Sequence, residues 1–401
     1  MDTRQKLELL GWAAQYDDRI SVAAGGRPLD SPSCPAPADW GLFRGPPSCA
    51  SGPDVFPHVS HVTTPSGRRM AVLKILQTSV CRNDCRYCAF RAGRDFRRVS
   101  FTPDELAGAF DVMWRAGVVE GMFLSSGIVT PGGTMDDMLA TAELLRGHYQ
   151  FGGYLHLKIL PGAGAAQIAR AVELADRVSV NMEGPNPHRL ALLAPQKRME
   201  EIAGSLRTAA RFASERSSKQ VAFGHARLGM STQFVVGPAA ESDRELLAAA
   251  QRLYRALGLA RAYYSAFSPV ADTPFEREQP TDPRREFRLY QADWLLRYYG
   301  FSAEELPFDA SGRLSLTADP KTLWAEAHPE NFPVDLNRAA ISDLLRVPGI
   351  GPRSARAIVA ARGKGTLREM GDLRRLGAHA ARAWPYIILG GRRPPRQLPL
   401  W

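Results

Sequence analysis

The chain predicts an α/β fold built on a parallel sheet, followed by a small helical module, and three observations carry that prediction. Between Met70 and about Val270, short apolar strands alternate with amphipathic helical patterns, as in parallel sheets joined by crossover helices. Beyond residue 334 the pattern turns wholly helical around the turn Pro348-Gly349-Ile350-Gly351. The charge changes at the same place. Residues 335–401 hold thirteen Lys and Arg against four Asp and Glu, a net of +9, whereas residues 1–334 are nearly balanced at +1.

Taken in order, residues 1–69 comprise an N-terminal helix, with Leu7, Leu10 and Ala14 at helical spacing, and an irregular wrapping segment. That segment, Gly25 to Pro57, is rich in Pro, Gly and Ser. Residues 70–270 form the α/β core. Its expected strands are Ala71–Leu76, Gly121–Leu124, Tyr154–Ile159, Arg177–Met182, Ser231–Val236 and Ala262–Phe267. Helices are expected at Pro103–Ala116, Met135–His148, Gly164–Leu174, Met199–Glu215 and Ser242–Leu257. Residues 271–330 read as a helical connector, with one helix at Arg284–Tyr299 carrying Phe287, Tyr290, Leu295 and Tyr298. Residues 331–390 form the basic helical module, and 391–401 a basic tail.

Composition narrows the class. A length of 401 residues suggests two or three domains. Hydrophobic and charged contents of 45% and 23% are those of a soluble globular protein. No run approaches the ~18 apolar residues of a membrane span. The start Met1-Asp2-Thr3-Arg4-Gln5-Lys6-Leu7 lacks the pattern of a secretory signal. The five cysteines are odd in number and too few for a disulfide framework, so a reducing, cytoplasmic setting is expected.

Three of those cysteines lie together. Cys81, Cys85 and Cys88 follow the first core strand in the run Val80-Cys81-Arg82-Asn83-Asp84-Cys85-Arg86-Tyr87-Cys88. Three thiolates can hold three irons of a 4Fe–4S cube and leave the fourth open, whereas electron-transfer clusters are closed by four. Half of a zinc site is the alternative, but zinc needs a fourth Cys or His at suitable spacing. His58 and His61 lie upstream of the strand and read as structural. Cys34 and Cys49 read as small buried hydrophobes.

The spacing, with Tyr87 before the third cysteine, resembles the signature loop of the radical S-adenosylmethionine (SAM) enzymes. The resemblance implies that the fold is a partial (β/α)6 TIM-like barrel, because the cysteines follow the first strand at its C-terminal face. Strand–helix alternation alone does not separate that barrel from a doubly wound sheet. The resemblance also implies the cofactors, a 4Fe–4S cluster whose open iron is chelated by SAM, and a reductant such as flavodoxin or ferredoxin. In that family the reduced cluster cleaves SAM to methionine and a 5′-deoxyadenosyl radical, which abstracts hydrogen from an unactivated carbon. Carried over by position, Ser125, Ser126 and Gly127 stand where the family meets the SAM amino group, though the family's glutamate is absent. Asn181 and Glu183 stand where it contacts the ribose or amino-acid end. Lys158, Lys197 or Arg198 would pair with the SAM carboxylate, and Gly237 and Ser268 would lie beside adenine.

The basic module carries the second signal. A Pro-Gly-Ile-Gly turn between helices at Arg338–Arg346 and Pro352–Arg362 gathers backbone N–H groups at a helix N-terminus, a ready phosphate site. Arg353 and Arg356 stand on the first turn of that helix and Ser354 beside them. The stretch resembles a helix–hairpin–helix domain of competence-type and DNA-repair proteins, with Gly349, Ile350, Gly351, Arg353, Ser354 and Arg356 as DNA-binding residues. Its second hairpin, Arg375-Leu376-Gly377-Ala378, is degenerate. Such contacts hold the phosphate backbone and do not choose a base.

Both signals on one chain, from about Leu7 to Ile388, resemble the radical SAM proteins associated with DNA modification or repair. The resemblance implies action on DNA and a uracil-DNA-glycosylase-like partner, with base flipping or a damaged site giving access. Two alternatives stay open. One is a radical SAM enzyme acting on RNA, such as a tRNA base; the other is a non-catalytic cluster in a DNA-binding protein, although such clusters have four thiolates.

Overall fold

The computed structural model describes residues 2–17, 59–63, 68–130, 132–220 and 228–392. The segment holding Cys34, Cys49 and His58, and the tail from residue 393, lie outside the described residues. The chain divides into two compact units. The first is Met1–Glu241 with Arg255–Thr281, and the second Ser242–Tyr254 with Asp282–Trp401.

The first unit opens on α1 (Thr3–Asp17), which buries Leu10 and Ala14 and joins Lys6 to Glu105 at 2.6 Å. The elements that follow are β1 (Val59–Thr63), β2 (Arg69–Leu76), α2 (Pro103–Arg115), β3 (Gly121–Ser125) and α3 (Gly133–Glu143). Next come β4 (Tyr154–Lys158), α4 (Ala165–Leu174), β5 (Arg177–Ser179), α5 (Pro187–Leu193) and α6 (Met199–Gln220). The series ends with β6 (Gly229–Val236) and β7 (Arg261–Ala266), with α7 (Asp243–Leu257) between them in the chain but mostly in the second unit. The sheet has seven strands in the order β1-β2-β3-β4-β5-β6-β7. β1 pairs antiparallel to β2, and the rest are parallel, a curled half-barrel with each strand beside its predecessor in the chain.

Local chemistry explains the boundaries. α2 starts at a capping box, where Thr102 Oγ1 accepts from Glu105 N and the Glu105 carboxylate accepts from Thr102 N. β5 stops at Ser179, three residues short of the expected Met182, and Glu183 beyond it takes a left-handed φ of 60°. β1 and α5 escape the sequence reading. The first is a five-residue strand of mixed polarity, and the second has seven residues, too few to show a helical period.

The period of two divides each strand's side chains between two faces. One face is apolar and buried: Leu73, Ile75, Met122, Leu124, Leu155, Leu157, Val178, Phe234 and Tyr264. The other, concave face is polar in its upper part and closed at the bottom by Met70, Val72, Phe123 and Tyr154.

Residues 243–254 of α7 belong to the second unit with α8 (Pro283–Tyr298) and α9 (Pro320–Ala327). Buried charges tie these helices together. Arg285 meets Asp243 at 2.7 Å, and Asp243 also accepts from Leu314 N at 2.8 Å. Asp293 accepts from Arg297 at 2.7 Å and from the Tyr254 hydroxyl. The chain then runs through β8 (Val334–Asp335), α10 (Ile341–Arg346), α11 (Pro352–Arg362), α12 (Met370–Arg375), α13 (Ala380–Ala383) and β9 (Ile387–Ile388). β8 and β9 pair parallel, bringing the two ends of this module together. Leu336, Leu344, Val347, Ile350, Ile358, Leu373 and Ile387 form its apolar core. α10 begins at Ile341, not Arg338, because Asp335 holds a turn: its carbonyl accepts from Arg338 N and Ala339 N, and its carboxylate from Asn337 N.

Candidate active site

Cys81, Cys85 and Cys88 lie on an irregular loop after β2, the position that parallel strands offer to chemistry. Cys85 is buried, and Cys81 and Cys88 are half-buried. All three line a cavity with about 1140 Å³ of space, open to solvent, at the C-terminal end of the strands. Tyr87, Ser126 and Gly127 share that wall, and Lys158, Asn181, Glu183, Lys197 and Ser268 complete it.

The loop is held by hydrogen bonds within it and to the segments around it. Arg98 does the most. Its Nη1 donates to Ser79 O at 2.9 Å and Phe90 O at 3.1 Å, and its Nη2 to Arg91 O at 2.7 Å and Arg94 O at 3.2 Å. The same guanidinium lies 4.3 Å from the centre of the Phe96 ring. From α5 onward, Leu193 O accepts from Arg86 N at 2.8 Å and Gln196 Oε1 from Asp84 N at 3.0 Å. Arg94 Nε reaches Ala271 O at 2.9 Å. On the β3 side, Gly127 N donates to Thr78 O at 2.8 Å, so close that a Cβ there would stand 2.3 Å from Val80 O. Only glycine fits between the two strand ends.

Opposite the thiols stands a buried charged group. Lys197 Nζ donates to Glu183 Oε1 at 2.8 Å, and the Tyr87 side chain hydrogen-bonds the same carboxylate. Burial works against the Lys197 charge, but Glu183 and the Cys85 and Cys88 thiols outweigh it and hold the ammonium above the ordinary lysine value. Burial pushes the Cys85 thiol up to about 11, with Lys197 opposing the rise and Glu183 adding to it. The left-handed backbone of Glu183 is kept in place by the strand beside it, since its N–H donates to Gln233 O at 3.0 Å and its carbonyl accepts from Val235 N at 2.8 Å.

Three residues expected at this site lie elsewhere. Ser125 sits on the last position of β3, 1% exposed, and its carbonyl accepts from Gln77 N at 2.8 Å. Arg198 is exposed, opens onto a neighbouring pocket and approaches Glu201 at 4.0 Å. Gly237 makes a turn instead: its φ is 120°, its N–H donates to Glu241 at 2.6 Å, and a Cβ would collide with Thr281 Oγ1. Arg98 was not singled out in the sequence, because nothing local distinguishes it from the other five arginines at residues 82–97.

Among the described residues no three His, Cys, Asp or Glu converge on a single metal ion. The donor set is soft thiolate, which suits an iron–sulfur cluster. No described helix is long and apolar enough to cross a membrane.

In the second unit, Gly349 has a φ of 82°, and a Cβ there would stand 2.6 Å from His379 O. Ile350 is buried, and its carbonyl accepts from the buried Lys321 Nζ at 2.6 Å. Gly351 caps α11, its N–H donating to Ser354 Oγ at 2.8 Å, so the Ser354 hydroxyl is spent within the turn. Arg353 and Arg356 are exposed on α11. Arg346 stacks 3.9 Å from the Phe301 ring centre and 4.8 Å from that of Trp324, and pairs with Glu305 at 2.9 Å. The degenerate second hairpin still packs: Gly377 turns with a φ of 77°, and His379 N donates to Gly349 O at 2.8 Å.

A model of the radical SAM superfamily matches residues 75–225, and one of the helix-hairpin-helix motif matches residues 330–381. No curated protein matches the chain. Among solved structures, the FeFe-hydrogenase maturase HydG from Carboxydothermus hydrogenoformans aligns at 14% identity and a TM-score of 0.45, covering 56% of this chain and 51% of that one. Methylornithine synthase (PylB) aligns at 13% and 0.44, covering 69% and 68%. Coproporphyrinogen III oxidase (HemN) from Escherichia coli aligns at 12% and 0.37, covering 56% and 51%. The chain thus spans about half the length of the maturase.

Proposed function

For a chain that carries a radical SAM domain and, at its C-terminus, a helix–hairpin–helix motif, we propose an enzyme that cleaves SAM reductively and acts on DNA. The radical SAM family uses a 4Fe–4S cluster and SAM, and Cys81, Cys85 and Cys88 fit its motif. The carrying observation is the cavity that three thiols share with Ser126, Gly127, Asn181 and Glu183. Bound there, the cluster would supply the electron that cleaves the SAM sulfonium.

The chain's own part is to hold and orient. Cys81, Cys85 and Cys88 would each bind one iron. Ser126 and the backbone at Gly127 would meet the amino end of SAM, with no glutamate in that segment. Glu183, fixed by Lys197, would take the ribose hydroxyls, with Asn181 beside it. Lys197 stands close enough to the thiols to balance the negative charge of a thiolate-held cluster. On the hairpin, the backbone at Gly349 with Arg353 and Arg356 would hold a phosphate of the polymer. A soluble cytoplasmic enzyme drawing electrons from flavodoxin or ferredoxin, beside a uracil-DNA-glycosylase-like partner, completes this reading.

Anaerobic reconstitution with SAM and dithionite tests it. 5′-Deoxyadenosine should form, faster with duplex DNA than without. No cleavage by protein holding a full cluster would overturn the enzymatic reading. Acceleration by tRNA but not DNA, compared at one salt concentration, would move the substrate to RNA.

A further inference from the structure

One face of α8 has no place in the chemistry above. Of the apolar residues that mark this helix in the sequence, Tyr290 and Leu295 are buried, whereas Phe287 and Tyr298 are each 47% exposed. Trp294 joins them at 44%. The three aromatics fall at i, i+7 and i+11, a stripe along one side of the helix roughly 16 Å long. Among the described residues the other large exposed hydrophobics are Val62, Val112, Val129 and Ile341, none aromatic and no two on one element. Single exposed side chains of that kind are ordinary, but a row of three rings on one face points to a surface that binds.

The rings are braced. Trp294 and Tyr298 lie 4.7 Å apart between ring centres. Arg297 holds both: its guanidinium is 4.8 Å from the Tyr298 ring centre and 5.7 Å from that of Trp294, and its Nη1 donates to the Tyr298 hydroxyl at 2.9 Å. The buried Asp293 anchors Arg297 in turn at 2.7 Å. Toward the N-terminus of α8, Arg288 lies 5.8 Å from the Phe287 ring centre and donates to Gln291 at 2.7 Å. These arginines are engaged, so they support the rings and call for no anion. The two acids of the helix itself, Glu286 and Asp293, are buried, and Asp282 at its cap pairs with Arg284 at 2.6 Å. The stripe therefore carries no carboxylate to repel a polyanion.

The stripe also ends at the hairpin, within the same compact unit. Tyr299, next after Tyr298, places its hydroxyl 3.2 Å from where a Gly351 Cβ would stand. Gly300 O accepts from Arg346 Nη2 at 3.2 Å, and Lys321 bridges the Tyr299 ring and Ile350 O.

We propose that the aromatic stripe of α8 is a stacking platform for unpaired bases of the strand that the hairpin holds. Every base has a π face, so aromatic rings receive bases without choosing among them, and braced rings lose little freedom in doing so. A paired base hides its faces within its own stack, so the platform takes a single strand or an opened duplex. Resting on the nucleic-acid reading, the inference makes the substrate a polymer with bases out of the helix, the form in which an enzyme can reach them. The hairpin supplies the salt-dependent hold on phosphate, and the stripe the preference for unpaired strand.

Fluorescence anisotropy tests it with the full-length protein, a labelled oligothymidylate, the matching oligouridylate and a fully paired duplex, all at one salt concentration. The single strand bound more tightly gives the sugar of the polymer. Trp294→Leu, which keeps apolar bulk and loses the ring, should weaken both single strands about tenfold, the scale of one lost base–aromatic contact, and leave duplex affinity unchanged. Trp294→Phe should restore most of the loss. Arg353→Ala with Arg356→Ala should instead weaken strand and duplex alike. Thermal melting by circular dichroism checks that each variant is folded. An equal loss on strand and duplex with Trp294→Leu, or no loss, overturns the proposal. So does a wild-type dimer in sedimentation that Trp294→Leu dissociates, which makes the stripe a contact between copies of this chain. The two readings fail separately: a wild-type chain that binds no nucleic acid removes the reading beneath, whereas wild-type binding that Trp294→Leu leaves unaltered removes the platform alone.

Discussion

The loop from Ser79 to Arg98 and the hairpin from Val347 to Ser354 are both short turns that present chemistry at the end of a regular element, yet they are held in opposite ways. The loop buries few large apolar side chains and is tied by polar contacts: one guanidinium on five carbonyls, and two backbone N–H groups that donate to Leu193 O and to the Gln196 side-chain oxygen. The hairpin drives Val347 and Ile350 into an apolar core and uses positive-φ Gly349 to turn. A loop held by directional bonds fixes the positions of its thiols. A turn held by packing keeps its shape through its core side chains, with the N–H groups of Ile350 and Gly351 bonded inside it and Arg353 and Arg356 exposed beside it.

Breaking each loop by its own means separates the two. The largest effect belongs to Cys85→Ala, which should leave folding intact while abolishing cluster binding and SAM cleavage, read by iron and sulfide analysis and by 5′-deoxyadenosine. Ile350→Ala comes next. It should cost about 2–5 kcal/mol in denaturant unfolding, the range for a truncated buried isoleucine, and weaken DNA binding with it. Arg98→Gln should be milder globally, about 2 kcal/mol for the lost charged hydrogen bonds. Its local effect is larger: amides between residues 82 and 94 should exchange with solvent several-fold faster while those of α11 do not change, read by hydrogen exchange and mass spectrometry.

The smallest effect at neutral pH is a pH dependence at Lys321, whose ammonium holds the hairpin carbonyl and lies 4.5 Å from the Tyr299 ring centre. Burial lowers it to about 7, partly offset by Asp319 and reinforced by Arg382 and Arg346. The folded state therefore binds fewer protons than the unfolded one between pH 7 and the ordinary lysine value. Through this group stability should rise with pH across that window, by at most about 1.4 kcal/mol per pH unit, and be flat below it. Lys321→Met should remove the slope, measured by urea unfolding from pH 6 to 9.

The features legible in the sequence were those whose information is local. Cysteine spacing sets which side chains share a loop, strand–helix alternation sets the parallel sheet, and Gly349 and Gly351 mark a turn. What escaped depends on partners far along the chain. Arg98 acts through carbonyls it meets only once the loop has closed. Glu183 finds Lys197 fourteen residues on through a left-handed kink that no propensity announces. Ser125 and Ser126 look equivalent as letters, but β3 ends at Ser125, and it is Ser126, on the loop beyond, that lines the cavity. Gly237, expected beside adenine, is a turn residue with a φ of 120° whose N–H donates to Glu241, the strand pattern before it giving no hint of it.

The anchors of the cysteine loop also set an order of events during synthesis. The loop is complete by Arg98, but its partners at Leu193, Gln196 and Ala271 are added later. The last follows some 170 residues behind, roughly 10–35 s at ordinary elongation rates. Until then the thiols stand on a loop that lacks three of the bonds fixing it, so the geometry of the site is completed only when the first unit is.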